Sequence, residues 1–154
     1  MRDTLDIHYM KMAQLYADQH SGCRKVSVGS AIVKGGRIRS LGANVAVPDL
    51  CLCTDCMRVQ KYGNDSKIHR NPEDCRAVHS EIDALVTLDG NAAGSTIYVT
   101  RYPCEACARA IVAAGVKQVV YGGKASISAL TREIFEYGGV TYRHLPWGDD
   151  DSDR

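Results

Sequence analysis

Apolar and polar positions along the chain follow two periods, and each change of period marks an element. Over residues 4–19 apolar side chains recur at helical spacing, with Ile7, Met10, Leu15 and Tyr16 among them, Asp3 or Thr4 as cap and Gly22 as stop. Residues 26–33 and 38–41 read as two β-strands joined at Gly35-Gly36, a two-residue turn that tolerates positive φ and closes a hairpin. Asn44 falls where the second strand leaves the sheet. From 48 to 71 the pattern breaks into a long loop carrying Cys51, Cys53, Cys56 and His69, with Gly63, Asn64 and Pro72 as breakers. A helix over 78–88 follows, with Ile82, Leu85 and Val86 as its stripe and Gly90 as its end. Strand and helix then alternate as a strand at 96–100, a helix at 105–114, a strand at 118–121, a helix at 128–137 and a strand at 140–145. That alternation predicts an α/β fold with a partly parallel sheet covered on its faces.

The length of 154 residues fits one domain, spanning 1–148 with the Cys-rich insert at about 48–77. The segment 149–154 holds Asp149, Asp150, Asp151 and Asp153 against Arg154 and reads as a solvated, disordered acidic end. Removing it leaves a body only slightly more basic than the net charge of +1, which suits a small phosphorylated ligand better than a long duplex. No apolar run approaches the roughly 20 residues that span a bilayer, and Met1-Arg2-Asp3-Thr4 lacks the regions of a secretory signal, so a cytoplasmic chain is expected. Seven cysteines in such a chain argue for metal ligands over disulfides, because the cytosol keeps thiols reduced and an odd count cannot pair completely.

The chemistry concentrates between Cys75 and Cys107, where His79-Ser80-Glu81 precedes Pro103-Cys104-Glu105-Ala106-Cys107. Cys104 and Cys107 are three apart at a helix start, where unpaired N–H groups and the positive dipole end favour thiolate. His79 opens the preceding helix, and a parallel sheet brings successive helix N-termini to one edge. One His and two Cys are borderline-soft ligands for zinc that leave a fourth corner for water. Glu81, two residues from His79, does not share its helix face and is positioned to move protons beside such a site. A purely structural zinc site would leave Glu81 as an ordinary first-turn acid.

On these motifs the chain resembles the cytidine and deoxycytidylate deaminase family, in the branch whose first ligand is His. The resemblance runs through Cys23, Val28-Gly29-Ser30-Ala31-Ile32, Gly42-Ala43-Asn44, Cys75-Arg76-Ala77-Val78-His79-Ser80-Glu81 and Thr100-Arg101-Tyr102-Pro103-Cys104-Glu105-Ala106-Cys107-Ala108. The long Cys-bearing insert points to the deoxycytidylate branch. The resemblance implies a three-layer α/β/α sandwich around a five-stranded mixed sheet, and conversion of dCMP to dUMP with release of ammonia. It implies a catalytic zinc on His79, Cys104 and Cys107, Glu81 as proton shuttle, and Asn44, Ser80 and Tyr102 as substrate contacts. A second, structural zinc on Cys23, Cys51, Cys56 and Cys75 is implied too, with Cys53 and His69 as competing ligands. A homo-oligomer, commonly a hexamer, and dCTP and dTTP as effectors complete the expectation, with a pyrimidine nucleotide and neither nucleic acid nor membrane as partner. Ser80 stands where the family usually has alanine, Asp83 where it has asparagine, and the helix arginine tied to effectors falls near Gly90. Other substrates, namely dCTP, a modified cytosine, a nucleoside or a transfer-RNA adenosine, and a zinc-stabilised binding module without turnover, are the competing readings.

Overall fold

A computed structural model describes residues 2–23, 26–46, 56–62 and 75–147. The acidic end at 149–154, Cys51, Cys53 and His69 lie outside them. The elements run α1 (Arg2–His20), β1 (Gly29–Lys34), β2 (Arg37–Ala43), α2 (Met57–Tyr62), α3 (Ser80–Val86), β3 (Thr96–Val99), α4 (Glu105–Ala113), β4 (Gln118–Tyr121), α5 (Ala129–Tyr137) and β5 (Thr141–His144). The five strands form one mixed sheet in the order β2-β1-β3-β4-β5. Antiparallel pairing joins β2, β1 and β3, and parallel pairing joins β3, β4 and β5.

The hairpin forms as expected, with Gly35 and Gly36 at φ 60° and 71°, the mirror-image turn whose twist matches the flanking strands. Ile32 pairs with Ser40 and Val33 with Ile38, so Arg39 is a bulged extra residue. Strand alternation sends Ile97, Val99, Val119 and Tyr121 to one face, where they meet Ala84, Ala108, Ile111 and Phe135 from α3, α4 and α5. Tyr98 and Val120 point the other way and pack with Met10 and Ala13 of α1 and with Leu145. The result is the expected three-layer α/β/α sandwich, with three helices on one face and α1 on the other.

Two expectations need correction. The buried stripe of α1 is Asp6, Met10, Ala13 and Ala17, while Leu15 is 58% exposed and Ile7 and Tyr16 are not in the core. The helix lies so close to β1 that a Cβ at Gly29 would stand 2.0 Å from the Ala13 carbonyl oxygen, so only small side chains fit between them and the larger apolar ones turn outward. Asp6 is tolerated at 3% exposure because it pairs with Arg143 and accepts a hydrogen bond from the Tyr98 hydroxyl at 2.6 Å. The insert, read as one long loop, contains the short helix α2.

The topology sets where chemistry can occur. Because β1 is antiparallel to both β2 and β3, the latter two run in the same direction. The helix α4 follows β3 directly, and α3, reached from β2 through the insert, is brought back to the end of β2 by the bridge between Val45 and Val78, so both begin at the same sheet edge.

Candidate active site

His79 is the N-cap of α3 and Cys104 the N-cap of α4, both with extended backbone and neither side chain spent on capping. Pro103, fully buried, precedes the second cap and needs no donor there. One helical turn on, Cys107 is buried on the inner face of α4. The His79 Nδ1 stands 3.5 Å from the Cys104 sulfur and 3.4 Å from that of Cys107, and the three ligand atoms lie within 4.8 Å of one another. At zinc bond lengths of about 2.1 Å to nitrogen and 2.3 Å to sulfur, tetrahedral corners would place nitrogen and sulfur about 3.6 Å apart. The donor set and its spacing therefore fit zinc. Among the described residues no second group of three or more His, Cys, Asp or Glu ligand atoms comes together.

The electrostatics follow from this crowding. Hydrogen bonding from the Cys107 thiol, with further help from His79, holds the Cys104 thiol down at about 4, so it is a thiolate at neutral pH. The same bond, together with burial, pushes Cys107 up, so the pair shares one proton until a cation replaces it. The bond to Cys104 raises His79 above its ordinary value, against the opposing effect of burial. Glu81 is 4% exposed, and burial raises its carboxyl against the opposing pull of its own backbone N–H, His79 and the Ser80 hydroxyl. Its charge also acts on Cys107, which places the carboxyl beside the ligand cluster.

Of the other expected residues, Asn44 is buried just beyond β2, with its amide largely engaged. Its Oδ1 accepts from the Ser21 hydroxyl at 2.7 Å and from the Val28 N–H at 2.9 Å, while Nδ2 donates to the Val26 carbonyl at 2.9 Å. One N–H remains for another acceptor. Tyr102 packs at the edge of the main core under the Arg101 guanidinium, 5.5 Å from its ring centroid. Ser80 is fully buried in the first turn of α3, hydrogen-bonded to Ser30. Cys23, Cys56 and Cys75 are half-buried free thiols.

Sequence reading names three further residues without giving them the part they play in shaping the site. Asp83 accepts the Ala43 N–H at 3.0 Å and ties α3 to the end of β2. Gly42 permits that approach, since a Cβ there would stand 2.2 Å from the Ser80 carbonyl oxygen. Ser30, on β1, carries no signal in its local pattern because its partner is 50 residues away.

One imidazole, two thiols and a buried carboxyl at the N-termini of two helices on an α/β/α frame make the arrangement of a zinc-dependent hydrolytic enzyme acting on a nucleobase. The model described as "Cytidine and deoxycytidylate deaminase zinc-binding region" matches residues 3–123, and the chain belongs to the cytidine and deoxycytidylate deaminase family. It is 35% identical over 129 residues to the deoxycytidylate deaminase of Mycobacterium phage D29, a match covering 78% of this chain and 95% of that one. It is 30% identical over 143 residues to ComE operon protein 2 of Bacillus subtilis, covering 90% of this chain and 69% of that one. Its fold overlays that of the cyanophage S-TIM5 dCMP deaminase in complex with dCMP and dUMP with a TM-score of 0.71 at 26% identity, covering 94% and 99% of the two chains.

Proposed function

We propose that the chain hydrolytically deaminates dCMP to dUMP with release of ammonia, supplying the precursor of thymidylate. The observation that carries the reading is the tetrahedral spacing of His79 Nδ1 with the Cys104 and Cys107 sulfurs beside the buried carboxyl of Glu81. The likeness to relatives named deoxycytidylate deaminase supports the choice of substrate.

In this reading His79, Cys104 and Cys107 hold the catalytic zinc. Zinc bound there supplies the Lewis acidity that makes water a nucleophile near neutral pH. Glu81 takes a proton from the attacking water and delivers it to the ring nitrogen next to the amino-bearing carbon. It then takes the hydroxyl proton of the adduct and gives it to the departing amine, so one water enters and one ammonia leaves. Burial suits Glu81 to both halves, because a carboxyl raised above its ordinary range gives a proton back more readily at neutral pH. The remaining Asn44 N–H is a donor for the sugar, and the backbone N–H groups of the first turn of α3, at Ser80 and Glu81, are donors for the pyrimidine carbonyl, the latter shared with the Glu81 carboxyl. Tyr102 bounds the ring. A structural zinc on Cys23, Cys51, Cys56 and Cys75 would order the insert, with Cys23, Cys56 and Cys75 having to draw together around it, since their sulfurs do not gather as the catalytic set does.

The test is turnover of dCMP by zinc-loaded protein beside CMP, dCTP, deoxycytidine and a transfer-RNA substrate, with dCTP and dTTP also added as effectors and the oligomeric state measured alongside. Ammonia release and the change in pyrimidine absorbance should be greatest with dCMP. Preference for the RNA, or no turnover of any cytosine compound, would refute the reading. A catalytically silent zinc module would need four protein ligands, and three gather among the described residues.

A further inference from the structure

Ser30 and Ser80 are both at 0% exposure, and their hydroxyl oxygens lie 2.7 Å apart. Ser80 Oγ donates to Glu81 Oε2 at 3.2 Å. A serine hydroxyl has one hydrogen, so while Ser80 donates to the ionised carboxylate the hydrogen between the serines comes from Ser30. The result is a directed chain from Ser30 to Ser80 to Glu81. We propose that Ser30 is a positioning residue for Glu81, acting through Ser80; the inference rests on the deaminase reading of Glu81 given above.

The chain connects a rigid element to a working one. Ser30 sits on β1, inside the sheet, hydrogen-bonded on one side to β2 opposite Gly42 and on the other to β3 opposite Val99. Ser80 and Glu81 form the first turn of α3. Gly42 lets that turn settle on the strand, because a Cβ there would strike both the Ser80 carbonyl oxygen and the Ala84 nitrogen. Ser30 therefore meets Ser80 through backbone geometry that neither side chain can vary much. In a buried, poorly screened setting each bond polarises the next, so the Ser30 bond strengthens the Ser80 grip on Oε2.

The consequence for the reaction is a fixed orientation of the carboxyl. Ser80 holds Oε2, which fixes the plane in which the carboxyl collects and returns the proton. Neither serine touches solvent, so the chain leads no proton out of the site and its effect is on orientation alone. Without the Ser30 hydroxyl, Ser80 loses its fixed donor and can rotate, and the carboxyl samples orientations that do not reach the reacting atoms. That loss falls on the transition state, where alignment matters most, and spares the binding of ground-state substrate.

The experiment is a double-mutant cycle in the full-length, zinc-loaded chain, reading kcat, KM for dCMP, zinc content and Tm for wild type, S30A, S80A and S30A/S80A. S30A should lower kcat about tenfold with KM within about twofold and zinc content unchanged, as expected for a partner one step removed from a catalytic group. In the S80A background the same substitution should cost nothing further, since the link is already broken. Ser30→Thr, which keeps the hydroxyl, should recover most of the lost kcat. An equal kcat loss in both backgrounds, a change confined to KM or Tm, or failure of Ser30→Thr to recover activity beside a well-folded S30A would overturn the inference. Should S30A not fold, Ser30→Cys, close in size with a weaker donor, provides the same comparison in the same two backgrounds. Failure of wild type to turn over dCMP would instead overturn the deaminase reading, and this inference with it.

Discussion

Asp6 and Glu81 are both buried acids in a chain of ordinary charge content, and their surroundings give them opposite tasks. Asp6 is met by Arg143 and by the Tyr98 hydroxyl, so it pins α1 to the sheet. Glu81 has the ligand cluster and one serine hydroxyl, so burial raises its carboxyl and keeps it exchangeable. Truncating Asp6 would strand the tyrosine hydroxyl and the half-exposed arginine. Asp6→Ala should therefore lose about 2–4 kcal/mol in urea unfolding, with zinc content unaltered. A loss under about 0.5 kcal/mol, the range of a plain surface change, would contradict that role. At this scale His79, Glu81, Cys104 and Cys107 are legible in the sequence because metal and proton chemistry demand particular side chains at fixed spacing. Asp6 is not legible there, since its partners lie 92 and 137 residues further on. Asn44 falls at the end of β2 as its sequence position implies, yet nothing in its type shows that most of its amide braces the loop before β1.

Elements meet at their ends in this molecule. Ser128, the N-cap of α5, accepts the Thr131 N–H and donates to Glu105 Oε1 at 2.6 Å, which ties the start of α5 to the start of α4. That hydroxyl, with the Glu105 backbone N–H, holds the Glu105 carboxyl below its ordinary 4.5. A depressed carboxyl stabilises the fold above its unfolded value and loses that contribution as pH falls through the folded one. The Tm gap between wild type and Glu105→Gln should thus be present at pH 6 to 7 and close as the pH drops below about 4.5; a gap that widens in acid would reverse the sign of the argument. Gly42→Ala should be costlier, because the new Cβ must displace the α3 backbone. We expect a loss of about 1–3 kcal/mol together with weaker zinc retention, and unchanged zinc retention would show that α3 is not what carries His79 into place. Strand and helix order is readable from period alone, apart from α2, six residues among breakers, and the buried face of α1, where close approach to β1 reverses the usual rule that large apolar side chains point inward.

Across the whole molecule the mixed sheet supplies the plan, since two strands running the same way with a third between them start α3 and α4 from one edge. The alternation of elements in the second half makes a partly parallel, covered sheet readable from the sequence, and the mixed five-stranded arrangement follows from the family resemblance. The insert is less legible, because cysteine spacing by itself does not decide between ligands and free thiols. Metal content divides those cases: the proposed pair of sites predicts two zinc ions per chain, of which Cys75→Ser removes one without emptying the His79 site. A single zinc in the wild-type chain would confine metal chemistry to His79, Cys104 and Cys107. The central claim is tested most directly by measuring zinc content and dCMP turnover side by side in wild type and Glu81→Gln. The variant should bind as much zinc as wild type while turnover falls by about a hundredfold or more; wild-type turnover in the variant, or loss of its zinc, would contradict the assignment of Glu81 as the group that moves the proton.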